Sequence, residues 1–318
     1  MQAAASFKRW LFRLYGPEPA PIVLTQRRIF VLPTRAGLAF AASLGFMLIG
    51  AINYNLSLGY ALVFLLAGLG LVTLLHTFRN LVRLEISPGR ADPVFAGETA
   101  QLTVLLNNHR NADRCAVHLH FADAPTVVAD LAADTTTALG MPCPTTRRGW
   151  LRPGRITLET RYPLVLVRAW SYAEPDMRCL VYPAPEPSAP PLPLSASGET
   201  GGAHGGRGSE DFSGLRSHTP SDSPKHVAWK AVAKEQPLLT KQFAGTSQAE
   251  VWLDWDALPP GLDAEARLSR LTRWLLDAKA AGLSYGLRLP GLEIPLDSGE
   301  RHHESCLMAL ALHGGTES

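Results

Sequence analysis

The longest apolar stretch of the chain runs from residue 36 to residue 75 and contains no charged side chain. About 20 helical residues cross the hydrocarbon core of a bilayer, so this stretch is long enough for two crossings. The only polar cluster inside it is Asn53-Tyr54-Asn55, which predicts a turn. The pattern therefore predicts a transmembrane helical hairpin within residues 36–76, with helices at about 36–53 and 57–76.

Basic residues flank this stretch on both sides, whereas the connection between the two helices has none. The flanking cations are Lys8, Arg9, Arg13, Arg27, Arg28, Arg35, Arg79, Arg83 and Arg90, and a single acid, Glu18, precedes the stretch. Because Lys and Arg near membrane ends stay cytoplasmic, we expect residues 1–35 to form a basic cytoplasmic segment and both termini to be cytoplasmic. The alternative is a pair of core helices in a soluble protein, although such helices usually keep one polar face.

Residues 82–182 show the two-residue period of half-buried strands. Leu102, Val104 and Leu106 alternate with other side chains, as do Val117 and Leu119, and Ile156 and Leu158. Turn-rich breaks separate these short runs, which predicts a small antiparallel β-sandwich. His118 and His120 would point from one face of a strand, but no third ligand lies nearby. We therefore interpret them as solvent-facing strand residues and not as a metal pair.

A segment rich in proline and glycine follows at residues 183–208. Six prolines lie in residues 183–193 and six glycines in residues 198–208, which is typical of a spacer. The glycines lack the Lys-Ser or Lys-Thr of a phosphate-binding loop, so nucleotide binding is not expected.

Residues 209–318 alternate between predicted helices and strands, which indicates an α/β domain. A helix beginning at Pro224 would place His226, Lys230 and Lys234 on one basic stripe and Trp229 on another face. Further strands are expected at 237–243, 249–254 and 283–289, and further helices at 263–281 and 305–312. The fold class expected is therefore an α+β membrane protein with a transmembrane hairpin, a β-sandwich and a C-terminal α/β domain.

Composition narrows the functional classes. A net charge of +2 does not favour nucleic acid as a partner. Four scattered cysteines without metal-ligand spacing fit a reducing compartment, and no cofactor motif is present.

Three stretches of the chain resemble a family of membrane-anchored bacterial proteins, domain of unknown function 58. They are the hairpin introduced by Pro33-Thr34-Arg35-Ala36-Gly37, the segments 147–149 and 161–170, and the segment 215–243. The first two look like the family's membrane anchor and its Arg-Gly and Pro-Leu-Gly-Leu-Phe stretches. The third keeps Leu215, Arg216, Pro220, Asp222, Trp229, Lys230 and Phe243, and it departs at His218, Ser221, Lys225, His226 and Ala228.

The resemblance implies a non-enzymatic protein of the bacterial inner membrane whose C-terminal part is similar to a von Willebrand factor A domain, complete or truncated. It also implies two partners besides the lipid bilayer, a MoxR-type AAA+ ATPase and a transglutaminase-like membrane protein. The interaction motif would comprise Arg216, Asp222, Lys225, His226, Trp229, Lys230 and Lys234.

Metal binding and catalysis receive less support from the sequence. Von Willebrand factor A domains hold a divalent ion with Asp-x-Ser-x-Ser, and here Asp254-Trp255-Asp256-Ala257-Leu258 lacks both serines. Capping or turn roles for Asp254 and Asp256 are therefore favoured over a metal site. The sequence thus predicts a membrane-anchored scaffold or adaptor, and the alternative is a membrane-bound hydrolase with its site in residues 209–243.

Overall fold

The computed structural model describes residues 16–193, 211–217, 239–244 and 250–314, and for 211–217 and 239–244 it describes the backbone alone. Contacts divide the chain into two compact units. The first comprises Met1–Ala184 with Ala311–Ser318, and the second comprises Pro185–Leu310. The described residues form an α+β structure with four α-helices and several mainly antiparallel sheets.

Two apolar helices of the first unit are long and apolar enough to cross a membrane, α1 (Arg35–Asn53) and α2 (Ser57–Leu81). They agree with the two helices predicted from the uncharged stretch, although α2 continues to Leu81. Their side chains are largely exposed: Phe46 is 77% exposed and Leu58 is 84% exposed. A pair of core helices in a soluble protein would bury such residues, so the exposure is compatible with membrane anchoring.

Two sheets of the first unit pack around one core. Their strands are β1 (Ile22–Val23), β2 (Phe30–Pro33), β3 (Glu85–Ala91), β5 (Thr99–Asn108), β6 (Arg114–His120), β7 (Val127–Leu131), β8 (Thr135–Pro144), β10 (Ile156–Thr160) and β11 (Val167–Ala173). The four-stranded sheet has the order β1-β3-β5-β8, and the five-stranded sheet has the order β2-β11-β10-β6-β7, both antiparallel. The alternating apolar residues predicted for β5, β6 and β10 are buried together in this core, as the two-residue period requires.

A third, three-stranded sheet has the order β4-β12-β9, where β4 is Val94–Phe95, β9 is Gly149–Leu151 and β12 is Cys179–Tyr182. Strand β12 runs parallel to β4 and antiparallel to β9.

Within residues 16–34, which precede the hairpin, two strands belong to the sheets of the first unit. The prediction of a basic segment at residues 1–35 did not include any strand. Strand β1 pairs with β3, and β2 pairs with β11. The physical reason is that apolar residues stand among the arginines: Ile22 and Leu24 are buried in the common core. Arg28 also forms a bidentate ion pair with Glu18, at 2.7 and 2.6 Å, so these charges are partly compensated.

The second unit contains two sheets in its described residues. Strands β13 (Asp211–Ser217) and β14 (Leu239–Ala244) form an antiparallel pair. Strands β15 (Glu250–Asp254), β16 (Ser284–Leu289) and β17 (Leu292–Asp297) form the other, in which β15 and β16 are parallel and β17 is antiparallel to β16. Helices α3 (Ala264–Ala280) and α4 (Glu300–Leu312) complete the unit.

Helix α3 agrees with the helix predicted at 263–281, and the local sequence explains both of its ends. The carboxylate of Asp263 accepts a hydrogen bond from the Ala266 amide at 2.7 Å, which caps the first turn. Gly282 follows the last turn with φ of +67°, a conformation that favours glycine. The β15-α3-β16 unit is the predicted strand–helix–strand pattern, whereas the antiparallel β17 was not predicted.

The first part of the predicted spacer lies against α3. Glu186 accepts two hydrogen bonds from the Arg270 guanidinium, at 2.8 and 2.9 Å, and the Pro190 carbonyl accepts one from Trp274 Nε1 at 2.7 Å. Arg270 lowers the pKa of Glu186 chiefly by this hydrogen bonding. Residues 185–190 are therefore attached to the second unit, since a proline-rich chain loses little entropy when it is fixed. The glycine-rich part lies outside the described residues.

Candidate functional site

The best-defined polar cluster of the structure lies where α2 ends in the first unit. The last carbonyl groups of a helix have no partner within the helix, and here one arginine supplies donors. Arg114 is fully buried, and it donates from Nη1 to the Asn80 carbonyl at 2.7 Å and from Nη2 to the Val82 carbonyl at 2.9 Å. Its Nε donates to Asn108 Oδ1 at 2.7 Å, which fixes the direction of the guanidinium.

The charge of Arg114 suits this position. Burial lowers the pKa of Arg114 to about 10, and the neighbouring charge of Arg110 adds to that effect, so the side chain is still a cation at neutral pH. A cation at the C-terminal end of a helix meets the negative end of the helix dipole. The arginine therefore joins the end of α2 to β6 through charge-assisted hydrogen bonds.

Two polar side chains of α2 extend this connection. Asn80 Nδ2 donates to the Cys115 carbonyl at 2.7 Å and to Thr160 Oγ1 at 2.9 Å, and Asn80 Oδ1 accepts from the Cys115 amide at 3.2 Å. Thr77 donates from Oγ1 to the Tyr162 carbonyl at 2.7 Å. The last turns of α2 are thus bonded to strands β6 and β10 and to the loop after β10.

The start of α1 is bonded to the same loop. Thr34 Oγ1 accepts from the Gly37 amide at 3.1 Å, which caps the helix, and donates to the Val165 carbonyl at 2.6 Å. The Thr34 amide also donates to the Leu166 carbonyl at 2.9 Å. A Cβ atom on Gly37 would lie 2.0 Å from that carbonyl oxygen, so the close approach requires glycine. Both ends of the hairpin are therefore built into the first unit.

The residues of this junction were not predicted from the sequence, although α2 carries a pattern of polar residues that indicates a contact. Thr73, Thr77 and Asn80 recur at i, i+4 and i+7 and so mark one polar stripe on an otherwise apolar helix. Arg114 had no such signal, because an irregularity in pairing between Arg114 and Val117 interrupts the strand period that would have marked it as inward-facing.

The structure places the two ends of the segment 215–243, which contains the predicted interaction motif, side by side. Strand β14 confirms the strand expected at 237–243, and its pairing with β13 sets Arg216 opposite Thr240 and Leu215 opposite Lys241. The remaining motif residues, Asp222, Lys225, His226, Trp229, Lys230 and Lys234, lie outside the described residues. Their predicted roles stay predictions.

Asp254 and Asp256 lie at the mouth of an open pocket of about 430 Å³ at the end of β15. Asp254 Oδ1 accepts a hydrogen bond from the Asp256 amide at 2.9 Å, which is the turn role expected for it. The Arg288 guanidinium also lines the pocket and stacks 3.8 Å from the Trp252 ring centre. The Arg288 guanidinium donates to Glu293, which also lines the pocket, and among the described residues no three His, Cys, Asp or Glu side chains converge as metal ligands.

Tyr285, His302, His303 and Cys306 form a buried packing cluster between β16 and α4. Tyr285 Oη lies 3.0 Å from His303 Nδ1, and His302 Nε2 donates to the Tyr285 carbonyl at 2.8 Å. Burial raises the pKa of the Cys306 thiol to about 12 and raises the pKa of Tyr285 as well. A thiol that stays protonated is a poor nucleophile, which argues against Cys306 as a catalytic nucleophile.

His303 makes the stability of the second unit depend on pH. Burial lowers the pKa of His303 below its ordinary value near 6.5. The charges of Lys279 and His302 lower this pKa further, whereas the charge of Glu300 raises it. The unfolded chain therefore binds the proton more readily, and stability present above about pH 6.5 is lost as the pH falls through the folded pKa.

Melting curves of the full chain between pH 5 and 7.5 should show this loss, and His303→Gln should flatten it. The matched control is His109→Gln, because the side chain of His109 is 58% exposed. An equally steep pH dependence in wild type and His303→Gln would contradict the assignment.

Comparison of the chain with protein-family models, with curated proteins and with solved structures finds no match.

Proposed function

We propose that this protein is a membrane-anchored, non-enzymatic scaffold or adaptor. The observation that carries the proposal is the junction between the hairpin and the first unit. Strand β2 leads directly into α1, and α2 leads into β3, while both strands belong to the packed sheets of one unit. If the two exposed apolar helices lie in a bilayer, their three-residue connection lies on one side and the folded unit on the other.

The basic flanks suggest which side that is. Residues 16–90 outside the helices contain Arg27, Arg28, Arg83 and Arg90, and Arg79 lies in the last turn of α2. By the positive-inside rule, both units and both termini would be cytoplasmic, at the inner membrane of a bacterium. The described structure adds to this argument, because it fixes the cations of residues 27–28 and 79–83 in one folded unit.

The partners follow from the resemblance to domain of unknown function 58. A MoxR-type AAA+ ATPase would dock on the motif in residues 209–243, and a transglutaminase-like membrane protein would lie beside the hairpin. The pairing of β13 with β14 supports this proposal only in that it brings residues 211–217 and 239–244, the two ends of the segment, together. The hydrolase alternative would have its site in residues 209–243, most of which lie outside the described residues.

Reporter fusions test the topology. Fusions after residue 90 are expected to be active with a cytoplasmic reporter and inactive with alkaline phosphatase, while insertions at Asn55 should give the opposite pattern. Alkaline phosphatase activity after residue 90 would reverse the orientation and remove a cytoplasmic ATPase as partner.

Charge reversal tests the docking motif. Lys230→Glu should leave the melting temperature nearly unchanged, since an isolated surface charge contributes roughly 0–1 kcal/mol. It should weaken capture of the ATPase from detergent extract in a salt-dependent way. The control is Arg301→Glu, which reverses an exposed cation of α4. Capture equal to wild type, or unfolding of the variant, would contradict a docking role for Lys230.

A further inference from the structure

The loop between β10 and β11, residues 161–166, carries an exposed apolar tip. Tyr162, Leu164 and Val165 are 42%, 46% and 49% exposed, and they are nearly consecutive. Water-facing loops normally present polar side chains, so three large apolar groups together indicate an interaction surface.

The backbone of the loop shows that Val165 holds an unfavourable conformation. Its φ is +60°, in the left-handed region where glycine or asparagine is normal and a β-branched residue is an outlier. The turn is closed by a hydrogen bond from the Val165 amide to the Arg161 carbonyl at 2.9 Å. An apolar side chain is thus displayed outward at a conformational cost, and such outliers are most often found at functional surfaces.

Hydrogen bonds fix the loop beside both helices of the hairpin. The Tyr162 carbonyl accepts from Thr77 of α2, and the Val165 and Leu166 carbonyls accept from Thr34 at the start of α1. Thr77 is two residues beyond the uncharged stretch, about 3 Å along the helix axis. The loop therefore lies at the level where the helices would leave the hydrocarbon core.

Three arginines belong to the loop or to the segments next to it. Arg161 and Arg168 share one carboxylate, Glu159, and Arg35 is exposed at the start of α1. Three cations against one acid leave an excess of positive charge beside the apolar side chains. Apolar tips with a basic rim suit the boundary between phospholipid headgroups and acyl chains, particularly in anionic membranes.

We propose that residues 161–166 insert into the interfacial layer of the same bilayer that holds the hairpin. Tyr162, Leu164 and Val165 lie among the upper acyl chains, and Arg35 and Arg161 contact lipid phosphates. The loop forms a third point of membrane contact beside the two helices. This inference rests on the proposed membrane anchoring, and it adds that the folded unit itself touches lipid.

Depth-dependent quenching tests the proposal on the full chain. The half-buried Cys115 is replaced by alanine, and single cysteines are introduced by Leu164→Cys, Ala122→Cys and Leu65→Cys. Each is labelled with a fluorophore, and the protein is reconstituted in vesicles of phosphatidylethanolamine and phosphatidylglycerol. Ala122 is exposed in the turn after β6, at the opposite end of the strand from Arg114, and Leu65 is 71% exposed in the middle of α2.

The label at position 164 is expected to be quenched by lipids that carry a nitroxide near the headgroup and to be protected from aqueous iodide. The label at 122 should respond to iodide alone, and the label at 65 should respond to a nitroxide deep in the acyl chain. If the label at 65 lies deep but the label at 164 responds to iodide alone, the proposed lipid contact of the loop is wrong and the membrane anchor stands. The same conclusion follows if the label at 164 is protected from iodide but is not quenched by the lipid nitroxide, because protein then covers it. If 65 responds to iodide, the membrane anchor itself is wrong.

Discussion

Replacing Arg114 with methionine is expected to lower the free energy of local opening at the hairpin junction by about 3 kcal/mol or more. The methionine keeps most of the side-chain volume but removes the donors to the Asn80 and Val82 carbonyls and to Asn108 Oδ1. Asn108 Oδ1 keeps a donor in the Arg110 amide, but each of the two carbonyls left without a donor costs about 1–3 kcal/mol. Water can reach the junction only if the end of α2 separates from β6, so the loss should appear as local opening.

Hydrogen exchange of the full chain in lipid nanodiscs measures that opening. Peptides that cover the end of α2 and the start of β6 should exchange faster in Arg114→Met, while peptides of the second unit should serve as an internal reference. Arg152→Met is the matched control, because Arg152 is exposed. Exchange at the junction that is the same in both variants and in wild type would show that Arg114 does not hold α2 in place.

Substituting Gly37 by alanine is the second change for which we expect a large effect. Its Cβ would lie 2.0 Å from the Leu166 carbonyl oxygen and 2.9 Å from the carbonyl carbon, and neither atom belongs to a side chain that could rotate away. The start of α1 and the loop must therefore separate, which costs about 1–3 kcal/mol by analogy with overpacked cores. The same movement would weaken the hydrogen bonds of Thr34 to the loop.

Thermal unfolding of the purified full chain in detergent should show a melting temperature lowered by roughly 2–10 °C in Gly37→Ala. Gly45→Ala changes the same helix at a position where no atom lies within 4 Å of the added Cβ, and it should melt close to wild type. If the two variants melt together, the close approach between α1 and the loop does not contribute to stability.

The elements that could be predicted from sequence are those whose signal is local and repeated. The uncharged stretch predicted both apolar helices, and alternation predicted β5, β6 and β10, because burial of one face imposes those periods directly. The helix expected at 263–281 likewise agrees with α3, because Asp263 and Gly282 are residue types that favour helix ends. Each of these signals lies within the element that it describes.

The elements that were missed depend on partners distant in sequence. Strand β1 has two residues and β2 has four, too few for a period, and they are strands because β3 and β11 offer edges to them. Arg114 and Asn80 lie 34 positions apart, and only the fold brings them together. In the segment that contains the interaction motif, the strand predicted at 237–243 corresponds to β14. The roles of Trp229 and Lys230 stay predictions.

The order of strands along the chain has a consequence for how the protein is made. Strand β2 is synthesised before the hairpin, whereas its partner β11 follows about 130 residues later, on the order of ten seconds at ribosomal rates. During that interval the apolar helices can already have entered the bilayer, which leaves β2 tethered at the membrane surface with an unpaired edge. If the hairpin is a membrane anchor as proposed, insertion can precede the pairing of β2 with β11, and the hairpin would then be a fixed point on which the nascent domain assembles.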